Sequence, residues 1–189
     1  PFSGCSKITL QRSLVSQRLV NAGHGKGAHG HGGNWGGSGA PYHHNLLAHH
    51  GSRTPRLGPR PTTQKDERMD MRNNVIYNFG GNGCYGGEGT KVNIVNHYYQ
   101  PGPGSPSGAK AKRIAGIGIR PKEYCTTYPD YAPMLHVWGK YYVNGNANSQ
   151  HADVTKDNWT YGMYNQIDAS GNDGTYTAKT KDTIKLALI

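Results

Sequence analysis

The sequence predicts an all-β solenoid, a stack of short β-coils wound about one narrow core. Three observations carry that expectation. A polar residue precedes a short apolar triplet at Asn45, Asn74 and His97, spaced 23 to 29 residues apart, which is the period of stacked β-coils. Hydrophobic residues make up only 34% of the 189 positions while glycine fills 28 of them, too little apolar surface for a compact helical or sandwich core but enough for a solenoid. Gly, Asn and Pro recur between the apolar triplets, where turns between coils are needed. The length corresponds to one domain, residues 1–189.

Taken in order, residues 7–20 mix strand-like alternation at Ile8-Thr9-Leu10 with a helix-like spacing, and the repeat context favours a coil. Residues 21–40 are too rich in glycine for a regular interior element. They contain a literal G-x-G-x-x-G, Gly25 to Gly30, but no helix can follow through Gly32-Gly33 and Gly36-Gly37, and no acidic residue lies about 20 positions on, so a dinucleotide site is excluded. His24, His29, His31, His43-His44 and His49-His50 lack tidy ligand spacing and a carboxylate partner, so they are not assigned a metal.

Tyr42 to His49 reads as a short strand, followed at Gly51-Ser52 by a turn into Arg53-Thr54-Pro55-Arg56. Pro55 fixes its own φ and restrains Thr54, so two arginines are held on stiff backbone, a geometry suited to carboxylate recognition. Residues 58–66 form a Pro-rich excursion of the kind that gathers binding surface on a solenoid. Asp66, Glu67 and Asp70 flank Arg68 and Arg72 and read as local charge pairing. Met71–Asn78 and Asn93–Tyr99 are further coil strands, separated by a tight turn at 80–89 that contains Glu88. Residues 101–108 form a rigid turn, and Ile114, Ile117 and Ile119 mark another thin coil. His136–Asn146 is the next strand, with Lys140 where the repeat calls for asparagine. With His97 also departing, any asparagine ladder is expected to end after Asn74. Leu46, Val75, Ile94 and Val137 are expected to share one interior. Asn158-Trp159-Thr160 is a glycosylation sequon, and residues 162–189 read as a polar loop and final strand.

The formal net charge is +10, and eight Lys and Arg precede the first acidic residue, Asp66. That balance fits a polyanionic partner. No nucleic-acid motif accompanies it, so a nucleic-acid partner is not expected, and no apolar run is long enough to span a bilayer. Cys5, Cys84 and Cys125 are read as buried or free thiols, with one disulfide left open.

The run HHNLLAHHGSRTPR, then RNNVIYN, YGGE and VNHYYQPGP, resembles the pectate lyases of polysaccharide lyase family one, in particular their bacterial branch, over about residues 7–159. The resemblance implies a right-handed parallel β-helix, secretion, and calcium-assisted β-elimination of pectate. It implies Arg53 as the catalytic base and a substrate-carboxylate contact from Lys26. Arg53 and Arg56 are then expected on an exposed face within reach of Lys26. The family carries a further arginine five positions after the first; here that position is Gly58, so Arg60 or Arg72 has to substitute. An arginine base runs against the residue's ordinary protonation, and positive charge from Arg56, Lys26 and calcium acts in the required direction. The calcium ligands are expected mainly outside this chain, which reads as a solenoid segment cut at its N-terminal side that needs neighbouring coils or further copies of itself. The segment alone is therefore expected to be inactive on pectate. The alternative is a β-helix scaffold or polyanion-binding protein without turnover.

Overall fold

The computed structural model describes residues 4–16, 21, 23, 25, 27 and 30–165. Among these, short strands follow one another in threes. The first turn of the chain carries β1 (Leu10–Gln11), β2 (Leu14–Ser16) and β3 (Asn34–Trp35), and the second carries β4 (Ser38–His43), β5 (Leu46–Ala48) and β6 (Arg56–Leu57). The third has β7 (Arg68–Arg72), β8 (Val75–Tyr77) and β9 (Tyr85–Gly86), and the fourth β10 (Lys91–Val95), β11 (Tyr98–Gln100) and β12 (Ala115–Ile117). The fifth closes with β13 (Lys140–Asn144), β14 (Ala147–Asn148) and β15 (Met163–Asn165). Every third strand joins the same parallel sheet, giving three sheets of five strands in the orders β1-β4-β7-β10-β13, β2-β5-β8-β11-β14 and β3-β6-β9-β12-β15. The arrangement is mostly β, is not a closed barrel, and is compatible with a parallel β-helix. Three short helices lie outside the sheets: α1 (Lys122–Thr127), α2 (Ala152–Lys156) and α3 (Asn158–Gly162). None of the described helices is long and apolar enough to cross a membrane.

In-register pairing stacks like positions above one another. Tyr42, Met71, Ile94 and Val143 form one buried column, and Leu47, Ile76 and Tyr99 form another on the second sheet. The expectation that Leu46 and Val75 share this interior is wrong: they are 38% and 37% exposed, whereas their successors Leu47 and Ile76 are buried. The cause is the corner before them. Asn45 and Asn74 turn inward, so alternation sends the next side chain out and the one after it in. Val137, also expected inside, is only half-buried and precedes β13. The expected strand over Tyr42 to His49 is likewise two strands, because His44 adopts φ 56° and ends β4. The turn expected over 80–89 contains β9.

That corner repeats on every coil. Arg12, His44, Asn73, Asn96 and Gly145 all occupy the left-handed region, and from the second coil on the side chain that follows bridges coils. Asn45 Oδ1 accepts from the Ser13 N–H at 3.1 Å while its Nδ2 donates to the Leu10 carbonyl at 3.0 Å. Asn74 Oδ1 accepts from the Asn45 N–H at 2.9 Å, and His97 Nδ1 accepts from the Asn74 N–H at 3.0 Å. Asn146 and then Asn158 continue the series, each at 2.9 Å. The ladder therefore does not end after Asn74. Lys140, the position suspected of breaking it, is an exposed residue at the start of β13 and was never a rung. Asn158 of the sequon is the last rung among the described residues and is buried, so its amide is not presented for glycosylation.

Glu67 is a second correction. It is fully buried, and instead of pairing with a neighbouring cation it accepts from the Gly4 and Arg60 N–H groups, the Thr63 hydroxyl and the Gly37 N–H. One carboxylate thus ties the 58–66 excursion to two coils. Cys5, Cys84 and Cys125 are free thiols.

Candidate functional site

The third sheet places the arginine segment. Asn34, Arg56 and Tyr85 are register partners on β3, β6 and β9, and Arg53 and Arg60 lie to either side of β6. Arg53, Arg56 and Arg60 line an open cleft of about 290 Å³ together with Asn34, Arg120 and Tyr131. Its wall is supplied by the segment after β12, which carries Arg120, α1 and the turn to Met134.

Arg53 is half-buried at φ 60°. Its backbone N–H neighbour Thr54 bonds to the Gly83 carbonyl at 3.0 Å, and Gly83 holds the same left-handed conformation one coil on. An arginine at a corner where the next coil uses glycine costs on the order of 1 kcal/mol. Its Nε is buried, and among the described residues it has no hydrogen-bond partner.

Arg56 is not on an exposed face as expected. It is nine-tenths buried, with Nη2 donating to Glu88 Oε1 at 2.7 Å and Nη1 donating to the Leu57 carbonyl. Burial alone would pull its guanidinium down, but the Glu88 carboxylate outweighs burial and holds it above its ordinary value. Burial would likewise push Glu88 up, and Arg56 followed by Arg120 outweighs that and holds it below the ordinary carboxylate range. Arg56 is thus largely committed to the protein, and Glu88 orients it.

Arg60 is exposed at the cleft rim. Arg72 lies elsewhere, on β7 of the first sheet, paired with Asp70 at 2.7 Å. Of the two candidates to replace the arginine missing at position 58, only Arg60 reaches the cleft. Lys26 falls outside the described residues.

Gly58 itself has a physical explanation. A β carbon there would lie 2.0 Å from Asn34 Oδ1, so the neighbouring coil already fills that space. Arg120 was missed by the sequence reading. It comes from the fourth coil, its Nε 3.6 Å from Glu88 Oε1, and its guanidinium stacks 4.3 Å from the Tyr124 ring centroid and 5.3 Å from that of Tyr131. The only local signal was an arginine beside Pro121, the same Arg-and-Pro association seen at Arg53 to Arg56.

A calcium ion does not fit what is described. Among the described residues no three His, Cys, Asp or Glu side chains converge, and Glu88 is committed to two arginines, whereas a hard dication needs several oxygen ligands. No protein-family model matches the chain, and no curated protein matches it.

Proposed function

We propose that the chain is a pectate-lyase-like right-handed parallel β-helix whose cleft binds polygalacturonate and carries its β-elimination. One observation carries the reading: arginines from separate coils converge on a single small cleft whose bordering carboxylate, Glu88, is itself buried between two of them. The right-handed winding follows from the strong preference of parallel crossover connections. The cationic composition fits a polyanion.

Elimination from a 4-linked uronate breaks the C5–H and C4–O4 bonds and forms a C4=C5 double bond. The C5 proton passes to the base, and the departing O4 takes a proton from solvent. Negative charge spreads into the adjacent carboxylate as the proton leaves, and guanidinium groups fixed beside that carboxylate stabilise it. Arg53, assigned the base role by the resemblance, lines the cleft from constrained backbone. Arg60 and Arg120 are placed to hold the carboxylate, and Arg56 acts through Glu88 to keep the floor of the cleft in shape.

The absence of a convergent carboxylate set among the described residues favours a second reading, polyanion binding without turnover. Both are tested by measuring retention on polygalacturonate against a neutral polysaccharide, and the rise in absorbance of unsaturated product with calcium or chelator. The assay is run on this chain and on a version extended upstream. Selective retention with turnover that Arg53→Ala abolishes supports the lyase; retention without turnover in either version supports binding alone. Equal retention on the neutral polymer defeats both.

A further inference from the structure

We propose that Asn34 and Arg120 form a recognition pair for one acidic sugar unit, Arg120 taking its carboxylate beside Arg53 and Asn34 Oδ1 accepting from a hydroxyl of the same ring. The inference rests on the uronate reading of the cleft and deepens it. Neither residue belongs to the motifs that carry the resemblance.

Three residues that line this one cleft each carry a buried polar atom without a hydrogen-bond partner among the described residues: Asn34 Oδ1, Arg53 Nε and Arg120 Nε. Buried polar atoms are ordinarily paired, and leaving three unmet around one space is costly. The set is two cationic donors and one neutral acceptor. A ligand that completes it offers anionic oxygens and, a few bonds away, a hydroxyl proton. A uronate ring does both. A neutral sugar offers the two guanidinium groups only uncharged oxygens, and an anion without a hydroxyl, such as sulfate, leaves the asparagine oxygen unmet.

The packing explains why these two residues hold the roles. Asn34 lies over the Cα of Gly58, in the space a side chain there would claim. Arg120 stands beyond hydrogen-bond reach of Glu88 at 3.6 Å, while stacking on Tyr124 and Tyr131 fixes its plane. Arg56, by contrast, has its guanidinium engaged by Glu88 and backbone carbonyls. The guanidinium absent from position 58 is therefore supplied from the fourth coil, and the vacated room is used for an acceptor. A volume of about 290 Å³ is at the lower end of small-molecule sites, which suits a sugar unit.

The experiment is titration calorimetry of the full chain with trigalacturonate, with the same trisaccharide reduced to its neutral sugar, and with sodium sulfate. The wild type should bind trigalacturonate at least tenfold more tightly than either other probe. Asn34→Leu should weaken trigalacturonate about tenfold and leave sulfate unchanged, whereas Arg120→Gln should weaken both, with Arg120→Lys falling between. Each variant is checked for an unchanged thermal midpoint, and the comparison of probes on the wild type needs no variant. If Arg53→Ala loses trigalacturonate while Asn34→Leu and Arg120→Gln bind it as the wild type does, this pair is wrong and the cleft reading stands. If the wild type binds no trigalacturonate, both fall.

Discussion

His97 shows how one substitution can keep a repeat and add a property. Its Nδ1 accepts from the Asn74 N–H as an asparagine oxygen would, so the ring is neutral with its proton on Nε2. Burial lowers its pKa from 6.5 to about 3, against a smaller opposing pull from Asp70. The folded state thus refuses a proton that the unfolded chain accepts below about 6.5. Stability from this group is full above the unfolded pKa and declines as pH falls toward the folded one, by up to roughly 4–5 kcal/mol. Melting curves from pH 7 to pH 4 should show the midpoint falling, and His97→Asn should flatten that fall while keeping the rung. A profile unchanged by His97→Asn would remove the account. Glu88 gives a second prediction at this scale. Glu88→Gln strands the buried Arg56 charge and should cost about 3–5 kcal/mol in chemical denaturation, whereas a surface pair of the same length would cost under about 1 kcal/mol.

The strands were readable as strands, but their faces were not. Leu46-Leu47 and Val75-Ile76 each place two apolar residues side by side, and a period of two cannot say which one is inside. The inward turn of Asn45 and Asn74 decides it, and that turn depends on hydrogen bonds to another coil. The consequence is measurable: Leu47→Ala should cost about 2–5 kcal/mol by cavity formation, while Leu46→Thr should change stability by less than about 0.5 kcal/mol. Reversed values would mean that the register of the second sheet is shifted by one. The ladder was read as ending too early for a related reason. Asn146 follows Gly145 just as Asn74 follows Asn73, but attention to Lys140 placed the rung six residues too soon. Asn74→Ala should cost about 2–4 kcal/mol, because it leaves the buried Asn45 N–H without its acceptor and removes a donor to the Tyr42 carbonyl.

Across the whole molecule, the arginine segment was visible from its Arg-Thr-Pro-Arg spacing, whereas the cleft was not. Asn34, Arg53, Glu88 and Arg120 come from four successive coils, and only the vertical register brings them together. Binding through such a cluster is electrostatic in large part, so retention on polygalacturonate should weaken steeply between 50 mM and 300 mM salt as screening shortens the reach of each charge. Salt-independent retention would argue for an apolar contact instead. The corners carry a consequence for how such a protein changes over generations. From the first sheet to the second, the link is always two residues, as in His44-Asn45 and Asn96-His97, one left-handed and one bridging. From the third sheet back to the first it runs from residues 36–37 on one coil to 118–139 on another. The link from the second sheet to the third varies too, from residues 49–55 on one coil to 17–33 on another, so insertions and deletions are absorbed at these two corners, beside the cleft, while the corner between the first and second sheets keeps count. Lineages can rewrite the rim that meets the ligand, loop by loop, without ever re-threading the stack beneath it.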